Sequence, residues 1–262
     1  MGLFQNPYKE ITDEEAFRNA QPRKGVAGFF ETIGDYFSAL VKANLFTLGC
    51  LIPASLLYLI ARMLTRDIMI VFLITLLGSL PAGAGLCGLN AVVCESIRNR
   101  GFVFNQVFKR NFRENLFRGI LPGMLYIFSL VCTFYILTFA GTLSANKGGA
   151  ISCAMLCILV ASTRLILSYM LPMMTLVELP LRHYIRNSML IIPACPKASL
   201  GILLVNSIFY SLTVLFLPYT GIYVALLAFA LHTLIGQLWS WPALNKTLRI
   251  EERENTKKHE GD

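Results

Sequence analysis

The chain reads as an all-α, polytopic membrane protein with six transmembrane helices in three helix hairpins, accompanied by amphipathic helices on the cytoplasmic surface. Three observations predict this. Hydrophobic residues make up 55% of the 262 residues and charged ones only 15%, where a soluble domain carries about 25% charge. The apolar residues come in long charge-free blocks, and a block of ~20 residues is what crosses ~30 Å of hydrocarbon. Cations collect at alternate ends of those blocks, as membrane orientation requires.

Taken in order, residues 1–25 form a polar segment of mixed charge, without the charged and apolar regions of a cleaved signal peptide. From Val26 a helical face appears: Val26, Phe29, Phe30, Ile33, Phe37 and Leu40. It predicts an interfacial helix leading into a first span at about 43–61, closed by Arg62, Arg66 and Asp67. No charge occurs from Ile68 to Cys94, the second span (68–94). A basic stretch follows, then a charge-free third span (120–143), a turn at Lys147 and a fourth span (149–171) that contains Arg164. Glu178 to Lys197 is charged and holds Pro180, Pro193 and Pro196. Ala198 to Asn245 is uncharged for 48 residues, twice the length of one span. Pro218-Tyr219-Thr220-Gly221 divides it into spans at 199–217 and 222–242. Trp239 and Trp241 then mark an interface, completing a transmembrane domain over 26–245, and 246–262 is a charged cytoplasmic tail.

Orientation follows from the cations. With the N-terminus inside, four Lys/Arg of the N-terminal region, six of the basic stretch, three between the fourth and fifth spans and five of the tail are cytoplasmic. Only Arg62, Arg66 and Lys147 fall outside. Both termini are therefore expected in the cytoplasm. The formal charge of +8 suggests a nucleic-acid partner, but these cations sit at span ends, so none is expected. Six of the seven cysteines fall in spans and Cys195 near an inner loop, which is not a disulfide framework.

The basic stretch carries the most specific pattern. Phe104, Phe108, Phe112 and Leu116 recur every four residues, while Lys109, Arg110 and Arg113 lie away from that stripe or at its flanks and Asn111 among them. Such a helix suits the inner bilayer surface, with rings among acyl chains and cations among anionic headgroups. It reads either as a connector that positions the next span or as a docking face for lipid or a partner protein.

Phe108-Lys109-Arg110-Asn111-Phe112-Arg113 resembles the core motif of the YesL family of uncharacterised bacterial integral membrane proteins. Asp35-Tyr36-Phe37, Lys42-Ala43-Asn44-Leu45 with Pro53, and Leu80-Pro81-Ala82-Gly83-Ala84-Gly85-Leu86 are similar to that family's first two spans. The likeness covers about 29–120 and runs on more weakly to about 200. Val103 and Asn105 stand where many members carry an acidic residue, and the apolar insert between the two spans is longer. The resemblance implies an all-helical protein of the bacterial cytoplasmic membrane, often associated with carbohydrate uptake, and no established activity.

Asn44, Asn115 and Asn187 each precede an odd-numbered span at steps of 71 and 72, and Pro81, Pro172 and Pro242 sit in or at the end of even-numbered ones, a pattern that suits three equivalent hairpins. Gly83-Ala84-Gly85-Leu86-Cys87-Gly88 matches a dinucleotide fingerprint but lies inside an apolar span, where small residues serve close helix packing. Cys153 and Cys157 have ligand spacing without a neighbouring His or acid. No nucleophile motif, metal set or cofactor signature stands out, so no enzyme activity and no cofactor are expected. Two polar residues inside spans remain. Arg164 either faces a cavity or partner, or snorkels to the inner surface. His232 either relays protons or bonds to a neighbouring helix. The functional expectation is an accessory or regulatory component linked to carbohydrate uptake, possible partner a membrane transporter subunit; the alternative is a small-solute transporter or channel.

Overall fold

The computed structural model describes residues 22–98, 101–144, 147–215 and 217–248. The predicted N-terminal segment up to residue 21 and the tail beyond 248 lie outside them. The described residues form helices and connections, with no strand. The helices are α1 (Gly25–Leu64), α2 (Ile68–Leu77), α3 (Leu80–Ile97), α4 (Phe104–Glu114), α5 (Ile120–Ser144) and α6 (Lys147–Leu176). They continue as α7 (Leu181–Ala194), α8 (Pro196–Leu215), α9 (Leu217–Tyr223) and, after one π-helical turn at Val224–Ala228, α10 (Phe229–Leu248). Among the described residues four helices are long and apolar enough to cross a membrane, and five if the bent pair α7–α8 is one span. Large apolar side chains such as Met63, Leu59, Ile158 and Leu204 point outward, the arrangement of a chain whose solvent is lipid rather than water.

Helix breaks follow local chemistry. Helix α1 has non-helical dihedrals at Tyr36 (φ −115°, ψ 18°), a kink that divides it into two helical parts with Pro53 inside the second, so the predicted interfacial helix and first span follow one another across a kink that falls a few residues before residue 43. The part after the kink, residues 37–64, is about 42 Å long at 1.5 Å per residue, longer than the ~30 Å hydrocarbon thickness. The apolar block at 68–94 is two helices. Pro81 has no N–H and its ring clashes with the carbonyl four residues back, so α2 ends at Leu77 and α3 restarts with Pro81 in its first turn. Asp67 caps α2, its Oδ1 accepting the Met69 and Ile70 N–H groups at 2.8 and 3.3 Å. The charged 178–197 region is mostly the amphipathic helix α7, which meets α8 at a 99° bend. The Pro218–Gly221 turn lies inside α9 instead, with Pro218 in its first turn.

The core is built on α3. The most apolar stretch of α3 is 83% buried, against 28%, 17% and 39% for those of the other three candidate spans, so it is the helix the rest surround. Its small residues set how near they come. A Cβ on Gly83 would lie 1.6 Å from the Gly119 carbonyl oxygen, and one on Gly123 would lie 2.6 Å from the Gly83 nitrogen. The start of α5 therefore touches α3 backbone to backbone, the packing use expected of the glycine pattern. Arg23 ties the start of α1 to the far end of α3. Its N–H donates to the Ile97 carbonyl at 2.8 Å. Its guanidinium lies 5.4 Å from the centre of the Tyr36 ring and pairs with Asp35, and Tyr36 stacks on Phe102 with ring centres 5.5 Å apart.

A methyl group at residue 83 has no room, whereas one on Gly49 meets nothing within 4 Å. Gly83→Ala should lower stability by about 1–3 kcal/mol, the usual cost of overpacking, and Gly49→Ala should leave it unchanged or slightly higher. Thermal melts of the two variants in one detergent check this; equal melting temperatures contradict the packing.

Candidate functional site

Helix α4 presents two faces of opposite character. Phe104 and Phe108 are buried, and the Phe108 ring lies on Gly88 of α3, where a Cβ would come within 2.8 Å of it. Phe46 of α1 covers the same rings at 5.9 and 5.4 Å between centres. Phe112, half-buried, extends the stack at 6.3 Å from Phe108. Asn111 is also buried, its Nδ2 donating to the Val107 carbonyl at 3.0 Å. The reading that Phe104 and Phe108 enter the acyl chains is therefore corrected: α3 offers a glycine socket and α1 a third ring, and burial there removes both rings from lipid. Lys109, Arg110 and Arg113 remain exposed. So do Val103, Leu116 and, most fully, Phe117 at 80%, which supply apolar area beside the cations.

Arg164 and His232 come together. Both line a cavity of about 70 Å³ between α3, α5, α6, α8 and α10, together with Asn90, Tyr126, Asn206 and Gln237. The Arg164 guanidinium stands 4.7 Å from the centre of the Tyr126 ring, a cation–π contact that favours the charge where water is scarce. Arg164 lies twelve residues before α6 ends at Leu176, roughly 18 Å along the axis. It therefore faces a cavity inside the helix bundle instead of reaching the end of its helix. His232 meets the Phe209 ring edge-on at 5.7 Å.

The cavity wall is fixed by amides that the sequence reading passed over. Gln237 donates through Nε2 to the Asn90 carbonyl and Oδ1 at 3.0 and 2.8 Å, and Asn90 donates to the Leu86 carbonyl at 2.8 Å. Gln237 is 2% exposed, and its Oε1 has no hydrogen-bond partner among the described residues. A buried acceptor left open costs on the order of 1–3 kcal/mol unless something donates to it. Their signal was available: each is an amide inside a charge-free run, where an uncompensated polar group is expensive.

The π turn is repaired by the motif that resembled a first-span signature. A π turn shifts the hydrogen-bond ladder by one residue and leaves backbone groups unpaired. Asn44, fully buried on α1, donates to the Val224 and Ala225 carbonyls at 3.1 and 2.7 Å and accepts from the Ala230 N–H at 3.1 Å. Asn115 instead donates to the Asn111 carbonyl at 3.0 Å, just beyond α4, and Asn187 lies half-buried on α7. The three asparagines of the predicted repeat thus hold three different positions.

No family model matches the chain, and neither a curated protein nor a solved structure matches it.

The two faces of α4 give separable outcomes. Replacing Lys109, Arg110 and Arg113 by Gln should leave the melting temperature unchanged and weaken binding of the purified protein to anionic vesicles, most at low salt. Phe108→Ser should cost about 3–5 kcal/mol of stability, as removal of a core aromatic does. Vesicle flotation across a salt series and a melting curve on each variant check both. A stable Phe108→Ser protein that binds vesicles poorly would restore the inserted-ring reading.

Proposed function

We propose that this chain is a multi-pass protein of a bacterial cytoplasmic membrane, akin to the YesL family, whose Arg164 cavity binds and passes a small polar solute. In this reading six segments cross the membrane as three hairpins and both termini are cytoplasmic. The single observation that carries the solute-binding role is the meeting of Arg164 and His232 with the Asn90–Gln237 pair in one cavity. Ionisable groups inside a membrane are expensive and concentrate along substrate and ion pathways. A guanidinium, a ring nitrogen and an open amide oxygen together suit a solute with an anionic group and a hydrogen-bond donor. The chemistry required is recognition, and no catalytic step is assigned to these groups.

A second reading is favoured by the exposed cations and Phe117 of α4. It makes the chain an accessory or regulatory subunit of a membrane transporter, with the carbohydrate-uptake association resting on the family resemblance. Copurification from native membrane distinguishes the two: a stoichiometric transporter subunit, lost with the Lys109, Arg110 and Arg113 replacements, supports the accessory role.

The solute role is tested by thermal shift with small anionic, zwitterionic and polyol solutes. A solute that binds the folded state raises the melting temperature by mass action. Arg164→Gln should weaken that solute tenfold or more, since hydrogen bonds to charged groups are worth about 1.5–3 kcal/mol. An unaltered affinity in the variant rules out the cavity. The topology has its own test: with single cysteines in a Cys-free background, an impermeant thiol reagent should label residue 147 and not residue 110 in intact cells. The reverse pattern contradicts it.

A further inference from the structure

A second concavity lies between α1, α2, α5 and α6. Its volume is about 580 Å³, and its walls include Tyr58, Phe72, Phe128, Val131 and Tyr135, with Arg62 at the last turn of α1. That volume is in the range of pockets that enclose small amphiphiles, ~300–1,000 Å³. The groove exists because α2 is short. Ten residues span about 15 Å, half the hydrocarbon thickness, so α2 fills only part of the space beside α1 and α5. Phe72 and Phe128 meet edge-on at 5.8 Å across it.

The charge at one end is placed by the chain. Helix α1 stops one turn after its apolar run, and Thr65, Arg66 and Asp67 follow, so Arg62 lies where the chain passes from apolar to polar. The neighbouring carboxylate of Asp67 is engaged as the α2 cap. The ion pairs among the described residues join Arg23 to Glu31 and Asp35 and Arg98 to Glu95, and Arg62 enters none of these. An exposed guanidinium heading an apolar, aromatic-walled groove is complementary to an acyl chain carrying an anionic head.

We propose that this groove holds an acyl chain of an anionic glycerophospholipid, with the headgroup phosphate against Arg62. The site is separate from the Arg164 cavity and stands or falls without it. A phosphate suits a guanidinium because two N–H groups can meet two oxygens. The chain methylenes along Phe72, Phe128 and Val131 add apolar contact that a soluble anion lacks.

Native mass spectrometry of the detergent-purified full chain tests this, after incubation with equal amounts of chain-matched phosphatidylglycerol and phosphatidylcholine. The wild-type protein should retain phosphatidylglycerol in preference. Arg62→Gln should cut that preference about fivefold, the share of one cation against an anionic headgroup. Val131→Trp, which fills the groove, should lose the retained lipid, whereas Ile158→Trp on the exposed face of α6 should keep it. Melting curves confirm that each variant is folded, and Arg62→Gln, a surface change, keeps the test decisive should Val131→Trp unfold. Equal retention of the two lipids by the wild type overturns the proposal, as does an unchanged preference in Arg62→Gln. Displacement of the phospholipid by an equal amount of chain-matched free fatty acid also overturns it, and assigns the groove to fatty acid.

Discussion

The contact that the rest of the structure depends on is the backbone-to-backbone approach of α3 and α5 at Gly83, Gly119 and Gly123. In lipid, apolar surface gains nothing by leaving its solvent, so helices associate through close packing and hydrogen bonds. Helix α3 supplies both. Its glycines admit a neighbouring backbone at Gly83, the Cys50 side chain of α1 at Gly85 and the Phe108 ring of α4 at Gly88. One helix with almost no side-chain bulk on these faces thereby fixes three neighbours. The polar positions of the same helix then decide where space is left: Asn90 faces Gln237, and beside that pair the Arg164 cavity opens.

A second constraint runs through several irregular points among the described residues. Inside a bilayer an unpaired backbone group has no water to turn to. Three breaks among the described residues accordingly have a side chain assigned to them. Asn44 repairs the π turn before α10. The Tyr184 hydroxyl accepts from the Leu179 N–H at 2.8 Å and donates to the Val177 carbonyl at 2.6 Å, closing the gap between α6 and α7. Ser199 donates to the Ile192 carbonyl at 3.0 Å across the bend from α7 to α8, and bonds Tyr169 at 3.0 Å. These devices let helices stop and turn without opening the core. They also hold α10 so that His232 and Gln237 share the cavity with Arg164.

The helical class was legible because lipid imposes a plain rule: long apolar blocks, charges at their ends. Arg164 and His232 were legible for the same reason, as ionisable groups where few occur. The joins were harder. The change in polarity put the join within α1 near residue 43, whereas the chain kinks at Tyr36, where no proline announces it. The break at Pro81 could have been read from the ring clash that proline imposes, but the charge-free run concealed it. Asn90 and Gln237 escaped notice because an amide carries no charge and its role appears only when the partner helix is in place. The fate of Phe104 and Phe108 depended on Gly88 and Phe46, residues remote in the chain. Periodicity identified the stripe but could not say whether protein or lipid would cover it.

The most direct measurement of how closely the bundle encloses α3 is a cross-link between α3 and α6. The Cys94 Sγ lies 3.7 Å from the Thr175 Oγ1, so Thr175→Cys places a second thiol within reach of the native one with little change in volume. Mild oxidation of the folded variant in membranes should join residues 94 and 175, read as a linked peptide by mass spectrometry, while a cysteine in place of the exposed Met155 on α6 should give none with Cys94. Absence of the 94–175 link, or an equal yield from residue 155, would contradict an α3 enclosed as described.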